Sequence, residues 1–289
     1  MRRVRIAIAA ALLTLPLVSL AGPKGHLFII GGGDWPEGMM NRFIDLARSF
    51  GTGRIVIFPM ASSVPGETAA EESADLKKLG AKDVSVCILT REQALKPESA
   101  GVLDGAGGVF FSGGDQSRLT AVLLDTPVHT KLLDLYDRGA VIGGTSAGAA
   151  VMSEVMITGD EVRKVEEGHE FETIQAKNIV TARGFGFIRN AIVDQHFVTR
   201  KRHNRLLSLL AEHADLLGIA IDESTAVVVN PGGTFEVVGA KQVIVYDPSH
   251  AQYRILPDRT IGFTGLVMHA LTAGDVFNLK TREVQARRP

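Results

Sequence analysis

Apolar and polar positions alternate with two different periods along this chain, and the switch between them marks its elements. From His26 onward, short β-rich apolar runs are each followed by stretches with helical spacing. HLFIIGGG leads into a helix through MMNRFIDLARSFG, and RIVIFPMASS into one through ETAAEESADLKKLG. VSVCIL comes next, then GGVFFSGGDQ with a helix through SRLTAVLLD. AVIGGTS and its following helix, AIVDQHF with the helix VTRKRHNRLLSLLAEH, and GIAIDE continue the pattern. Strand-helix alternation of this kind predicts an α/β fold with a mostly parallel sheet and helices on both faces. After GIAIDE the period stays at two: TAVVVNPGGTFEVVG and QVIVYDP read as hairpins and short strands, a β-rich C-terminal part. Residues 157–181 are rich in charge and poor in period, and read as a long excursion over the surface.

Several apolar runs end in chemistry. VFF ends in Ser112-Gly113-Gly114-Asp115-Gln116, AVIGG in Thr145-Ser146, AIV in Asp194-Gln195-His196, and GIAI in Asp222-Glu223. Ligands in open parallel sheets bind beyond the carboxyl ends of the strands, so these four tails are expected to converge on one crevice. Within it, Gly144-Thr145-Ser146-Ala147-Gly148 fits the G-x-S-x-G pattern of a nucleophile elbow, where flanking glycines avoid clashes with strand and helix. Small residues packing a helix start would give the same letters, and what favours the elbow is the supply of partners. A serine hydroxyl needs a base to take its proton, and the base needs a third group to orient it.

His196 is the candidate base, because alone among the eight histidines it directly follows an apolar strand within a polar cluster. Glu223 is the candidate orienter, with Asp194, two residues before His196, as the competing acid. Gly113 and Gly114 suit an oxyanion hole, with Gly114 and the N–H of Ala147 as the two donors. Gly31-Gly32-Gly33 also follows a strand and would let backbone approach the same crevice. Arg200, Arg202 and Arg205 open the helix after His196, where cations oppose the helix dipole; bidentate recognition of carboxylates would explain them. No His-x-x-x-His or paired-cysteine spacing points to a metal, and no nucleotide-binding glycine motif is present, so no cofactor is expected.

Composition narrows this further. The 289 residues are 45% hydrophobic and 22% charged with a formal net charge of -1, which is ordinary globular usage and disfavours nucleic acid as a partner. Arg2, Arg3 and Arg5 precede an apolar run broken by Pro16 and ending in the small-x-small pair Ser19 and Ala21. That is the pattern of a signal peptide, residues 1–21, removed after Ala21 and leaving residues 22–289 as a single α/β domain with no membrane anchor. The expected compartment is periplasmic or extracellular. The only cysteine, Cys87, then forms no intramolecular disulfide, and its apolar setting argues against a catalytic thiol.

With these residues in hand, the chain resembles the cyanophycinases, within the serine peptidase family that also holds the aspartyl dipeptidases. GGTSAGAAVMS, FFSGGDQSRL, VDQHFVTRKRHNRLL and LGIAIDESTAVVV are similar to that family's blocks, in its order. The resemblance implies a three-layer α/β sandwich of the glutamine-amidotransferase-like kind with serine in place of cysteine, and a triad of Ser146, His196 and Glu223. It implies a substrate pocket containing Gln116, Gln195, Arg200, Arg202 and Arg205, and release of β-aspartyl-arginine from cyanophycin, with a homodimer as the family's form of assembly. An exported aspartyl or isoaspartyl dipeptidase sharing the triad stays open as an alternative, as does a catalytically silent binding protein that retains the crevice.

Overall fold

The computed structural model describes residues 22–166 and 168–285; the expected signal peptide lies outside them. The chain runs β1 (His26–Ile30), α1 (Glu37–Arg48), β2 (Arg54–Phe58), α2 (Pro65–Lys78), β3 (Val84–Val86), α3 (Arg91–Ala94), β4 (Ala106–Phe111), α4 (Gln116–Leu123), α5 (Pro127–Arg138), β5 (Val141–Thr145) and α6 (Ala147–Ala150). It continues through β6 (Val155–Glu161), β7 (Ile179–Arg183), β8 (Ala191–Asp194), α7 (His203–Leu210), β9 (Leu217–Ile221), β10 (Thr225–Val229), β11 (Thr234–Gly239) and β12 (Val243–Asp247). The last strands are β13 (Gln252–Ile255), β14 (Ile261–Thr264), β15 (Val267–Leu271), β16 (Val276–Asn278) and β17 (Glu283–Gln285).

A nine-stranded sheet in the order β17-β16-β11-β10-β1-β5-β4-β2-β3 forms the centre. Its half from β1 to β3 is parallel, whereas β10, β11, β16 and β17 extend it as antiparallel strands. Period-two alternation along β1 sends Phe28 and Ile30 to one face, against α1 and α2, and Leu27 and Ile29 to the other, with α4, α5 and α6. Both faces of the parallel half are therefore covered, as the near-continuous apolar runs require.

The structure departs from a single sheet at β8 and β9. These two parallel strands pair with each other and join β12 and β15 in a separate four-stranded sheet, β15-β12-β9-β8. One face of it, with Ile219, Ile221, Val243 and Val245, packs against Val227, Phe235, Val237 and Phe277 of the main sheet's antiparallel half. Its other face, with Ile192, Ala220 and Ile244, is covered by Leu206, Leu209 and Leu210 of α7. The helix expected over residues 198–213 is thus shorter, since residues 198–202 turn before α7 begins, but its buried leucine stripe is the one the spacing predicts. The 157–181 excursion is also more ordered at its ends than its composition suggests, because β6 and β7 pair as an antiparallel hairpin. Among the described residues, no helix is long and apolar enough to cross a membrane.

Candidate active site

Ser146 sits between β5 and α6 with φ 53° and ψ -109°, half-buried, its N–H donating to the Ile30 carbonyl at 3.1 Å. The elbow needs both flanking glycines. A Cβ on Gly144 would lie 2.4 Å from the Gly148 carbonyl oxygen, and one on Gly148 would lie 2.1 Å from that of Phe111.

His196 and Glu223 arrive from the second sheet, at the ends of β8 and β9, and the glycine turn directly after β1 receives them. The His196 N–H donates to the Gly31 carbonyl at 2.7 Å, and the Ser224 N–H to that of Gly32 at 2.7 Å. A side chain on Gly32 would drive a Cβ to 2.2 Å from the imidazole Cε1, and one on Gly33 to 2.8 Å from Glu223 Cβ. The three glycines are the seat of the base and its acid.

In that seat Ser146 Oγ lies 2.9 Å from His196 Nε2, and His196 Nδ1 lies 2.7 Å from Glu223 Oε1. A carboxylate only accepts, so the ring proton belongs on Nδ1 and leaves Nε2 as the acceptor for the serine hydroxyl. Burial lowers the His196 pKa from its usual value and Arg200 and Arg202 add to this, while the Glu223 bond works the other way. The imidazole is therefore held neutral and basic at neutral pH. Lys241, which the sequence pattern did not single out, lies 3.9 Å from Glu223 Oε2 and 3.7 Å from Asp222.

Asp194 is turned away from this relay. Its oxygens take both Nε of Arg205, at 2.8 Å, and Nη2, in a buried ion pair, and Oδ1 also accepts the Gln195 N–H at 2.7 Å. Two residues apart on an extended chain, Asp194 and His196 would share a face, but β8 ends at Asp194 and His196 has φ 48°, so strand alternation stops before it.

A cavity of about 220 Å³ opens beside Ser146, lined by Gly114, Gln116, Gln195, Arg200, Arg202 and Arg205, with Thr158 and Gly159 of the β6 hairpin as a further wall. Larger clefts exist, one of 660 Å³ against Leu27, Tyr136 and Phe187, but they hold none of the nucleophile's partners. The candidate binding residues differ in how free they are. Arg200 is exposed. Arg202 donates Nη1 to the Gln195 carbonyl at 2.9 Å and to Gln195 Oε1 at 2.7 Å, and burial followed by Arg205 brings its pKa down to about 10.

Arg205 is 1% exposed, spends its fork on Asp194 and has the Phe171 ring 4.9 Å from its guanidinium carbon. This corrects the expectation that all three arginines offer free forks: Arg205 braces the site from within. Gln116 likewise donates its amide to the Ile157 and Thr158 carbonyls, at 2.7 and 2.6 Å, tying the hairpin to the cavity. Gly113 is the glycine that abuts the nucleophile, since a Cβ there would stand 3.5 Å from Ser146 Cβ.

Burial pushes the Cys87 thiol up to about 11, so it is not a nucleophile at neutral pH. Among the described residues, no group of three or more His, Cys, Asp or Glu is gathered for a metal ion.

An elbow serine, an imidazole and a carboxylate in one hydrogen-bonded line, on an α/β sandwich, define a serine-type hydrolase. The profile of "Peptidase family S51" matches residues 27–237, and the chain belongs to that family of serine peptidases. It is 32% identical over 273 residues to a cyanophycinase of Synechococcus elongatus, covering 92% of this chain and 82% of the relative. It is 37% identical over 236 residues to a cyanophycinase of Trichormus variabilis, covering 80% and 76%, and 33% identical over 273 residues to one of Geminocystis herdmanii, covering 91% and 97%. Among solved structures, a peptidase from an acI-B1 Actinobacterium shares the fold with a TM-score of 0.63 and 24% identity, over 89% of this chain and 98% of that one.

Proposed function

We propose that this peptidase hydrolyses cyanophycin, multi-L-arginyl-poly-L-aspartate, releasing β-Asp-Arg dipeptides through an acyl-enzyme on Ser146, and that it does so after export. The observation that carries the reading is the line from Ser146 through His196 to Glu223, opening on a cavity whose rim carries Arg200 and Arg202. The relatives named cyanophycinase supply the polymer. His196 Nε2 takes the hydroxyl proton as Ser146 Oγ attacks the scissile carbonyl, and Glu223 stabilises the imidazolium that forms. The N–H groups of Gly114 and Ala147 receive the oxyanion. The proton then passes from His196 to the leaving amine, and a water activated by the same imidazole hydrolyses the ester. Arg200 and the outer edge of Arg202 face the carboxylates that such a substrate carries.

The test is digestion of insoluble cyanophycin granules, followed by turbidity and by mass spectrometry of the soluble products. The wild type clears the suspension and yields β-Asp-Arg, whereas Ser146→Ala leaves it turbid with its Tm unchanged. Cleavage of small aspartyl dipeptides by a wild type that leaves the granules intact would transfer the assignment to the dipeptidases. Substantial activity in Ser146→Ala would remove the mechanism itself.

A further inference from the structure

Glu72 belongs to α2 and takes no part in the relay, yet it is bonded to the loop that follows β4. Its side chain is buried to 9% exposure, and Ser112, fully buried, donates its hydroxyl to Glu72 Oε2 at 2.5 Å. Ser112 directly precedes Gly113, the residue against the nucleophile, and Gly114, the candidate oxyanion donor.

The far side of this loop is pinned by backbone. The Asp115 N–H donates to the Ala61 carbonyl at 2.9 Å, and Gly114 packs so tightly there that a Cβ would lie 2.2 Å from the same oxygen. The near side is held by the Ser112 N–H on the Phe58 carbonyl at 3.2 Å and by the single side-chain bond to Glu72.

Burying the Glu72 carboxyl is costly for the fold. Burial drives the Glu72 carboxyl up to about 7, against the pull of the Ser112 hydroxyl, and Asp75 and Glu71 on the same helix push it the same way. A buried polar pair of this kind is often replaceable by apolar side chains of similar volume without loss of stability, so stability alone does not account for it. Its position beneath the 112–114 loop does.

Resting on the reading of Ser146 as nucleophile and Gly114 as oxyanion donor, we propose that Glu72 is a positioning residue: through Ser112 it holds the 112–114 loop so that its N–H groups meet the oxyanion formed at Ser146. A loop free to drift by a fraction of an ångström would keep substrate binding but lose transition-state bonds.

The experiment uses the full chain and two readouts, the second-order rate of Ser146 labelling by a fluorophosphonate, and kcat and KM on cyanophycin. Ser112→Ala and Glu72→Ala are expected to slow labelling and kcat by about tenfold with KM within about twofold, a fraction of what loss of a whole oxyanion donor costs. The double variant is expected to be no slower than either single one, because both remove the same bond. Glu72→Gln, whose amide oxygen still accepts from Ser112, should return to within about threefold of wild type. Tm values identify any variant whose loss comes from unfolding, and Glu72→Gln keeps the test decisive if Glu72→Ala folds poorly. Wild-type rates in a folded Glu72→Ala, losses that multiply in the double variant, or a folded Glu72→Gln as slow as Ser112→Ala would each overturn the proposal. A wild type that is labelled at Ser146 but leaves cyanophycin intact sinks the substrate assignment alone and leaves the labelling comparison standing. A wild type that is not labelled overturns both.

Discussion

Three of the nine described non-glycine residues with positive φ stand at the relay. Ser146, His196 and Ser224, the last directly after Glu223, have φ of 53°, 48° and 54°, a region where β-carbons crowd the backbone. Each is held by a hydrogen bond to the segment from Ile30 to Gly32, so the strain is stabilised by one short stretch of chain. The electrostatics at His196 follow from its neighbours: burial and two arginines lower its pKa, and the Glu223 bond raises it. Because catalysis needs the neutral ring, kcat/KM of the wild type is expected to rise with pH through a value below 6.5 and to be flat by neutrality. In Glu223→Gln the opposing contribution is gone, so the inflection moves further down, while kcat falls by a factor on the order of 10⁴ because an amide does not stabilise the imidazolium. A pH-rate profile of both proteins checks this; an inflection that stays in place with kcat within a few-fold of wild type would detach Glu223 from the relay.

At the level of elements, those with an unbroken period and a polar tail were legible in advance. The strands β1, β2, β4, β5, β8 and β9, and the buried stripe of α7, match their sequence patterns. The helix α5 has no counterpart among the expected elements, although its signals are present: Thr126 caps it, Pro127 opens it and Gly139 follows it with φ 133°. The element-scale cost of the site is carried by α2, which delivers Glu72 into the interior. With a folded-state pKa near 7 against the usual 4.5, the folded chain holds this proton where the unfolded chain has lost it. Stability contributed by Glu72 therefore falls as pH rises from about 4.5 to about 7 and stays low above. Glu72→Gln lacks that cost, so its Tm is expected to match the wild type near pH 4 and exceed it at pH 8, by up to about 3 kcal/mol of stability. Thermal melts at the two pH values measure it, and a constant gap would mean that Glu72 does not titrate in this window.

For the whole molecule, the export proposed above is tested through the mass of the chain. Removal of residues 1–21 would take away Arg2, Arg3 and Arg5 and move the formal charge from -1 to -4. Expression in a bacterium with an intact export pathway should therefore yield a mature chain beginning at Gly22, read by intact mass, and full-length protein in the soluble cytoplasmic fraction would withdraw the export reading. Local features were decided by the sequence itself. Alternation of period two and helical period marks most of the segments that become strands and helices, and the glycines around Ser146 fix a turn that side chains would obstruct, because both depend on neighbours along the chain. Partnership across the fold was decided only in three dimensions. The sequence offers Glu223 as the acid with Asp194 as its competitor, and Arg200, Arg202 and Arg205 as three like forks. A second sheet that turns His196 out of strand alternation aims Asp194 at Arg205 and Glu223 at the imidazole. Glu72 and Lys241 carry no motif at all, since they reach the site from α2 and from the loop before β12. Chains of contact between residues distant in sequence depend on how the layers pack, and no local period encodes that packing.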